Sequence, residues 1–164
     1  MTPRVLVLVA AFFAVVSVSA ANAAANRQQP NTLRSYADAK AQAAAQGWSC
    51  VAVKADRPGN GFAYSIGLSS KHLPELGVFA TDDVANACSA IDRVAKDFIT
   101  AGRAPRSGAE VFRNGEGRVV LRAVVRNQFF TLCTFAKRWR DEHHIAGARA
   151  MQLVVLGPNE AMPR

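Results

Sequence analysis

The stretch from residue 59 to residue 76, GNGFAYSIGLSSKHLPEL, carries side chains capable of acid–base chemistry. His72 could act as a general base if the carboxylate of Glu75 oriented its imidazole ring. The same two side chains could instead provide two ligands to a metal ion. Tyr64 adds a hydroxyl that can donate a hydrogen bond. The competing interpretation is that His72 is exposed to solvent and that Glu75 stabilises a turn around Pro74.

The first half of this stretch has the alternation of a β-strand. Phe62, Tyr64 and Ile66 would share a bulky face, and Ala63, Ser65 and Gly67 would share a small one. The small face would permit close approach of a neighbouring element or a ligand. A simpler interpretation is that Phe62 and Ile66 belong to the core and that Gly67 lets the chain turn.

Three arginines later in the chain predict a second kind of site. Arg118, Arg122 and Arg126 recur at every fourth position of a predicted strand, so they would share one face at spacings of roughly 13 Å. Arginine forms bidentate hydrogen bonds with phosphate and carboxylate groups. The three side chains are therefore candidate binding residues for an anionic ligand. The alternative is an ordinary solvated face of the sheet.

The three cysteines, Cys50, Cys88 and Cys133, leave the redox chemistry open. In an exported protein one disulfide is plausible, and any of three pairings would leave one thiol over. The alternative is that all three are small buried apolar side chains. Their spacings do not match a zinc motif, so no metal site is predicted from them.

Other motifs with known chemistry are absent from the sequence. It contains no P-loop, dinucleotide fingerprint, nucleophile elbow or HExxH motif, so no cofactor is predicted. The adjacent pair His143 and His144, which follows Asp141 and Glu142, is interpreted as the polar end of a helix. Whether the protein catalyses a reaction stays undecided at this level.

The N-terminus has the layout of a secretory signal peptide. Arg4 precedes an uncharged apolar run of 16 residues, and a small-x-small cleavage pattern ends at Ala23. That run is shorter than the ~20 residues of a membrane-spanning helix. We therefore expect residues 1–23 to be a signal peptide, residues 24–31 a flexible N-terminus and residues 32–164 one domain. The mature protein would be periplasmic or secreted, without a transmembrane segment.

The charge of the chain constrains its partners. Removing the signal removes one charged residue, Arg4, so the formal net charge of +8 becomes +7. A basic surface attracts anions over long range. For an exported protein these would be an anionic glycan, a lipid headgroup or another protein, and export disfavours nucleic acid.

Periodicity and turn residues predict a single α+β domain with the element order α-β-β-β-α-β-β-α-β. The sheet would be mixed but mostly antiparallel, with two or three helices on one side. The predicted helices cover 32–46, capped by Asn31, then a segment from Thr81 or Asp82 to Gly102, and finally 128–142. The predicted strands cover 48–54, 62–68, 76–81, 110–113, 118–126 and 151–156, with a hairpin turn at Asn114-Gly115.

Several of these features together resemble the bacterial domain-of-unknown-function family DUF4262. The resemblance lies in Gly47-Trp48, the turn at Pro58-Gly59, the strand FAYSIGL and the loop His72…Pro74-Glu75-Leu76, with a similar final strand at 150–155. It covers roughly residues 46–162. This chain departs from the family pattern in three ways. Leu73 separates His72 from Pro74, and the C-terminal segment with tryptophan that is common in the family is not found here. Many members lack an export signal, whereas this sequence has the pattern of one. The resemblance implies a fold and the location of a site, since no activity is established for the family.

Two functional hypotheses follow from the sequence. The first is a binding or interaction module that recognises an anionic or protein partner through the arginine face and the loop at His72. The second is a small enzyme or metal-binding protein that uses the loop of His72 and Glu75, with Tyr64 as a hydrogen-bond donor. The first is favoured because no complete catalytic constellation can be assembled from the sequence.

Overall fold

The computed structural model of the protein describes residues 35–54, 57–114 and 117–156. Within these residues the chain forms four α-helices, one 3₁₀ helix and six strands. The helices are α1 (Tyr36–Gln46), α2 (Val84–Ala101), α3 (Arg126–Leu132) and α4 (Thr134–Glu142), and the 3₁₀ helix covers Leu68–Lys71. The strands are β1 (Ser49–Val53), β2 (Gly61–Ile66), β3 (Glu75–Thr81), β4 (Glu110–Asn114), β5 (Gly117–Ala123) and β6 (Ala150–Leu156).

The six strands form one mixed sheet with the order β1-β2-β3-β6-β5-β4. Neighbouring strands are antiparallel except β3 and β6, which are parallel and pair Glu75 with Ala150. In the antiparallel pair of β5 and β6, Ala123 is opposite Met151. The last strand therefore joins the two antiparallel halves of the sheet. It also brings the residues just before Ala150 beside the start of β3.

Helices cover both faces of the sheet. The alternation in β2 explains why: Tyr64 and Ile66 pack in one buried cluster with α1, α3 and α4, whereas Ala63 packs in a second cluster with α2. The prediction that the helices lie on one side was therefore wrong. Both faces of the central strands are apolar and must be shielded from water. The α+β class and the single mixed sheet were predicted correctly, as was the order of the elements along the chain apart from the division of the last helix.

Helix α2 has well-defined ends. Asp83 accepts a hydrogen bond from the backbone N–H of Asn86 at 2.9 Å, which satisfies one of the free amides of the first turn. Gly102 ends the helix in the left-handed conformation at φ 64°. The buried stripe of α2 includes Val84, Ile91 and Phe98, as the helical spacing predicted.

The predicted third helix is in fact two helices. Cys133 interrupts it with φ −91° and ψ 76°, outside the helical range. The break lets Phe129 and Phe130 of α3 and Trp139 of α4 all reach the same buried cluster. The backbone N–H of Phe135 is in the first turn of α4 and has no acceptor within the helix. It donates instead to the hydroxyl of Tyr64 at 3.4 Å.

Two further boundaries differ from the predictions. Helix α1 begins at Tyr36 and is capped by Ser35, whose hydroxyl accepts from Asp38, while the predicted cap Asn31 lies outside the described residues. Strand β5 ends at Ala123, and Arg126 is the first residue of α3. The predicted row of three arginines on one strand was therefore wrong, since only two of them belong to the strand.

A disulfide joins Cys50 of β1 to Cys88 of α2, with their Cα atoms 5.7 Å apart. Cys133 is the free and buried cysteine. The predicted signal peptide and flexible N-terminus lie outside the described residues. Of the predicted turn Asn114-Gly115, Asn114 ends β4 and is opposite Gly117 of the antiparallel β5, whereas Gly115 lies outside the described residues. No helix among the described residues is both long and apolar enough to cross a membrane.

Candidate functional site

Glu75 is a completely buried carboxylate held by four hydrogen bonds. One oxygen accepts from the Ser69 hydroxyl at 2.7 Å and from the backbone N–H groups of Ser69 and Gly67 at 2.9 and 3.1 Å. The other accepts from the Ser65 hydroxyl at 2.6 Å, and that hydroxyl in turn accepts from the N–H of Leu76 at 2.8 Å. The carboxylate thus organises the whole connection between β2 and β3.

Local sequence makes this arrangement possible. Gly67 has φ 105°, a conformation that L side chains rarely adopt, and a Cβ atom there would lie 2.8 Å from the carbonyl oxygen of Gly47. The turn allows the 3₁₀ helix to start at Leu68, which places the N–H of Ser69 toward the carboxylate. The small face predicted for β2 therefore serves close packing of the chain against itself.

Burial dominates the electrostatics of this network. It raises the pKa of Glu75 above its ordinary value, although the hydrogen bonds from Ser65, Ser69 and Gly67 act in the opposite direction. Burial also raises the pKa of the Cys133 thiol, with a further contribution from the charge of Glu75. Cys133 is therefore protonated and a poor nucleophile at neutral pH.

His72 lies at the end of the 3₁₀ helix with its side chain exposed and a positive φ of 59°. Its carbonyl oxygen accepts a hydrogen bond from the Arg149 guanidinium at 3.4 Å. Among the described residues, the hydrogen-bond partners of the Glu75 carboxylate are serine hydroxyls and backbone amides, and they do not include the imidazole. His72 and Glu75 are therefore not hydrogen-bonded to each other as a general base and its orienting carboxylate would be.

The third candidate, Tyr64, is in the interior rather than at a surface. It is 2 % exposed, and its hydroxyl accepts the amide of Phe135. Burial raises the pKa of Tyr64 to about 12. Its place in the structure is that of a cap on α4, so His72, Glu75 and Tyr64 do not converge on one cavity.

The predicted arginine face is divided in the structure. Arg118 and Arg122 of β5 are opposite Leu156 and Gln152 of β6. Nearby Glu110 is paired with Arg113, and that guanidinium, with a smaller contribution from Arg118, holds the pKa of Glu110 below its ordinary value. This part of the sheet therefore carries a carboxylate as well as arginines.

Arg126 instead lines a different concave site, which we call the arginine pocket. It has a volume of about 440 Å³, and its lining includes the three arginines Arg106, Arg126 and Arg149. These come from the loop after α2, the first residue of α3 and the residue just before β6. No Asp or Glu is among the described residues that line it. All three arginines are exposed.

A smaller concavity of about 210 Å³ adjoins the arginine pocket. The two share Gly147, Ala148 and Arg149, and the smaller one is also lined by Ser69 and His72. The loop of His72 therefore borders the same surface as the arginine pocket. The resemblance to DUF4262 implied a site in this loop, and Arg106 and Arg149 are the neighbours that sequence reasoning missed.

The signal for these two residues was weak. Arg106 belongs to the basic loop 103–108, and Arg149 stands alone before the last strand. Nothing in their spacing connects them with Arg126. They meet because β6 pairs with both β3 and β5, which is a property of the sheet topology.

Within the described ranges, no three His, Cys, Asp or Glu side chains are grouped as a possible metal site. His143 follows the end of α4 and stacks on Trp139 with ring centroids 4.0 Å apart. His144 follows with φ 52°. Both are exposed, so the pair forms the polar helix end that the sequence predicted.

Comparisons with known proteins agree with the resemblance seen in the sequence. No curated protein and no solved structure matches the chain. The model of one family, described as a domain of unknown function (DUF4262), matches residues 42–164, which includes the whole sheet, the loop of His72 and the arginine pocket. The chain therefore belongs to the DUF4262 family.

Proposed function

We propose that this protein is an exported binding module whose arginine pocket takes a ligand that carries negative charge. The observation that supports the proposal is the convergence of Arg106, Arg126 and Arg149, from three separate segments, around one concavity without a lining carboxylate. Guanidinium groups form bidentate, charge-assisted hydrogen bonds with carboxylates and phosphates. The pocket is therefore chemically complementary to such groups.

The ion pairs of the described residues leave the charge of the pocket uncompensated. In the described part of the chain, none of the ion pairs involves Arg106, Arg126 or Arg149. Other arginines are paired: Arg113 with Glu110 and Arg138 with Glu142. Like charges that face one cavity repel each other, and a bound anion would remove that repulsion.

The strand face that includes Arg118 and Arg122 supports the proposal less well than the pocket. Glu110 lies close enough to Arg118 for their charges to interact, and it already forms an ion pair with Arg113. We therefore assign binding to the arginine pocket. Of the three arginines that the sequence predicted as binding residues, only Arg126 is part of it.

Export is part of the proposal. The N-terminal sequence has the layout of a signal peptide, and the Cys50–Cys88 disulfide suits an oxidising compartment. An exported basic protein meets carboxylates and phosphates on lipids, glycans and small metabolites. The pocket chemistry does not require a macromolecule.

The test is calorimetric titration with pyrophosphate at low and at physiological ionic strength. The variant Arg106→Ala/Arg126→Ala should bind at least about tenfold more weakly than the parent protein, since losing even one charge-assisted hydrogen bond costs about 1.5 kcal/mol and a factor of ten is about 1.4 kcal/mol. The matched control is Lys54→Ala/Lys96→Ala, which removes the same charge at exposed positions outside the pocket lining. Its affinity should stay near that of the parent.

Equal losses of affinity in the two variants would show that pyrophosphate binding depends only on the overall charge of the protein. The pocket would then not be the binding site. Failure of the parent protein to bind any anion at low ionic strength would overturn the proposed function as a whole. Binding should weaken as salt is added, because the guanidinium groups are exposed and ions screen them.

A further inference from the structure

We infer that the ligand of the arginine pocket is an amphipathic anion, namely an aliphatic chain that ends in a carboxylate or a phosphate. The inference rests on the proposed function and adds the chemical class of the ligand. It is based on the rest of the pocket lining, which is mostly apolar. That lining includes Pro74, Ala104, Pro105, Val124, Ala148 and Met151.

The apolar lining joins the two hydrophobic clusters of the fold. Val124 and Ala148 belong to the side that packs with α1, α3 and α4, whereas Ala104 and Met151 pack against the cluster beneath α2. The pocket thus lies where β5 ends and β6 begins, and both clusters approach the surface there. An aliphatic chain placed there would cover apolar surface that is otherwise in contact with water.

The polar inventory of the pocket argues against sugars and nucleobases. Among the described lining residues, Ser107 provides the only side-chain hydroxyl, and that hydroxyl already accepts the backbone N–H of Ala123 at 3.0 Å. The same lining contains no aromatic side chain on which a ring could stack. A polyhydroxylated ligand would lose hydrogen bonds to water without replacing them, which is unfavourable.

The arginines supply the other half of the recognition. Arg106, Arg126 and Arg149 line the same concavity as the apolar side chains, so one ligand can contact both kinds of group. The volume of about 440 Å³ is within the range of roughly 300–1,000 Å³ typical of small-molecule sites. A short chain with one anionic head matches both features.

The experiment is a calorimetric series with n-alkyl carboxylates and n-alkyl phosphates of increasing length, each below its micellar concentration. Inorganic phosphate and the n-alkyl alcohols are the head-only and chain-only probes. Affinity should rise about fourfold for each added methylene, corresponding to burial of one CH₂ group, and should stop rising when the pocket is full. The alcohols should bind at least about tenfold more weakly than carboxylates of equal length.

Two variants distinguish the contribution of the anionic head to the affinity from that of the aliphatic chain. Arg106→Ala/Arg126→Ala should lower the affinity for every charged member of the series by a similar factor. Val124→Thr, which keeps the shape of a partly buried side chain and adds a hydroxyl, should reduce the gain per methylene and leave inorganic phosphate unaffected. Lys54→Ala/Lys96→Ala is again the charge-matched control, and thermal unfolding verifies that each variant is folded.

The outcomes distinguish this inference from the proposed function. If affinity is independent of chain length while pyrophosphate binding still depends on Arg106 and Arg126, the amphipathic class is wrong and the anion site stands. If no anion binds, both fail. A gain per methylene that persists unchanged in Arg106→Ala/Arg126→Ala, without loss of overall affinity, would place the chain elsewhere on the surface and also overturn the inference.

A final arm identifies the source of the ligand. Vesicles that contain an anionic phospholipid either compete with the free amphiphile for the protein or do not. Competition would show that the pocket takes the head and part of the chain of a membrane lipid. Absence of competition, with the free series behaving as expected, would show that the ligand is a soluble organic acid or phosphate. Both results support the amphipathic class.

Discussion

At the scale of single residues, the most informative group is the carboxylate of Glu75. An isolated buried carboxylate is strongly unfavourable, and here no cation accompanies it among its described hydrogen-bond partners. Four donors from Ser65, Gly67 and Ser69 compensate the loss of water. The side chain thereby fixes the path of the loop that borders the smaller concavity.

Glu75→Gln should destabilise the protein. One carboxylate oxygen becomes an NH₂ group, which cannot accept, so at least one buried donor loses its partner. The free energy of unfolding should fall by about 1–3 kcal/mol, which is the cost of leaving a buried donor without its hydrogen-bond partner. Chemical denaturation followed by circular dichroism measures the change.

The control for this substitution is Glu110→Gln, which alters an exposed carboxylate that is paired with Arg113. It should change stability by less than about 1 kcal/mol. If Glu75→Gln were as stable as the parent protein, the four hydrogen bonds would not be the structural anchor described here. A catalytic use of the carboxylate would then merit a new test.

At the scale of elements, Glu142 of α4 holds the first helix of the domain in place. Its carboxylate accepts from Lys40 at 2.7 Å, from Arg138 at 2.9 Å and from the hydroxyl of Tyr36 at 3.0 Å. The guanidinium of Arg138 also lies 4.2 Å from the centre of the Tyr36 ring. One carboxylate thus links α1 to α4.

This link should depend on pH. The hydrogen bonds from Lys40 and Arg138 lower the pKa of Glu142 from its ordinary 4.5 to about 2. A group whose folded pKa is lowered stabilises the fold above its unfolded pKa, and this contribution is lost as the pH falls through the folded value. The stabilisation should therefore be complete above about pH 5 and should disappear as the pH falls from about 4.5 toward 2.

The measurement compares the parent protein with Glu142→Gln across that range. The parent should be more stable at neutral pH, and the difference should narrow as the pH falls toward 2. Hydrogen exchange of the amides in α1 would report the same loss locally. A stability difference that is constant between neutral and strongly acidic pH would contradict the role of the ionised carboxylate.

The elements also show what the sequence could predict. Periodicity and caps located α2 and the final strand to within a few residues, since those signals are local. The break at Cys133 had no local signal, because neither Gly nor Pro is present there. It results from packing: two short helices place Phe129, Phe130 and Trp139 against the sheet where one straight helix was predicted.

At the scale of the whole molecule, the candidate site could be predicted only in part. The family resemblance indicated the loop of His72, and the arginine pattern indicated Arg126. Arg106 and Arg149 join them only because β6 lies between β3 and β5, and such long-range pairing leaves no trace in local spacing. Likewise, four nearby donors make Glu75 a structural group, although its sequence context had suggested acid–base chemistry.

The disulfide should determine the stability of the molecule as a whole. Cys50 and Cys88 are 38 residues apart in sequence, so their bond restricts a long loop of the unfolded chain. Loop-closure entropy predicts a stabilisation of about 3–4 kcal/mol, corresponding to a Tm roughly 10 °C higher. Cys133 should not exchange with this disulfide in the folded state, because it is buried and burial raises its pKa.

The test compares Cys50→Ala/Cys88→Ala with the parent protein, each with and without a thiol reductant. Reductant should lower the Tm of the parent toward that of the double variant and should leave the double variant unchanged. Because the latter keeps Cys133, it also controls for effects of the reductant on the free thiol. A parent Tm that is the same in both conditions, with the bond verified as reduced by mass, would show that packing between β1 and α2 maintains the fold without the disulfide.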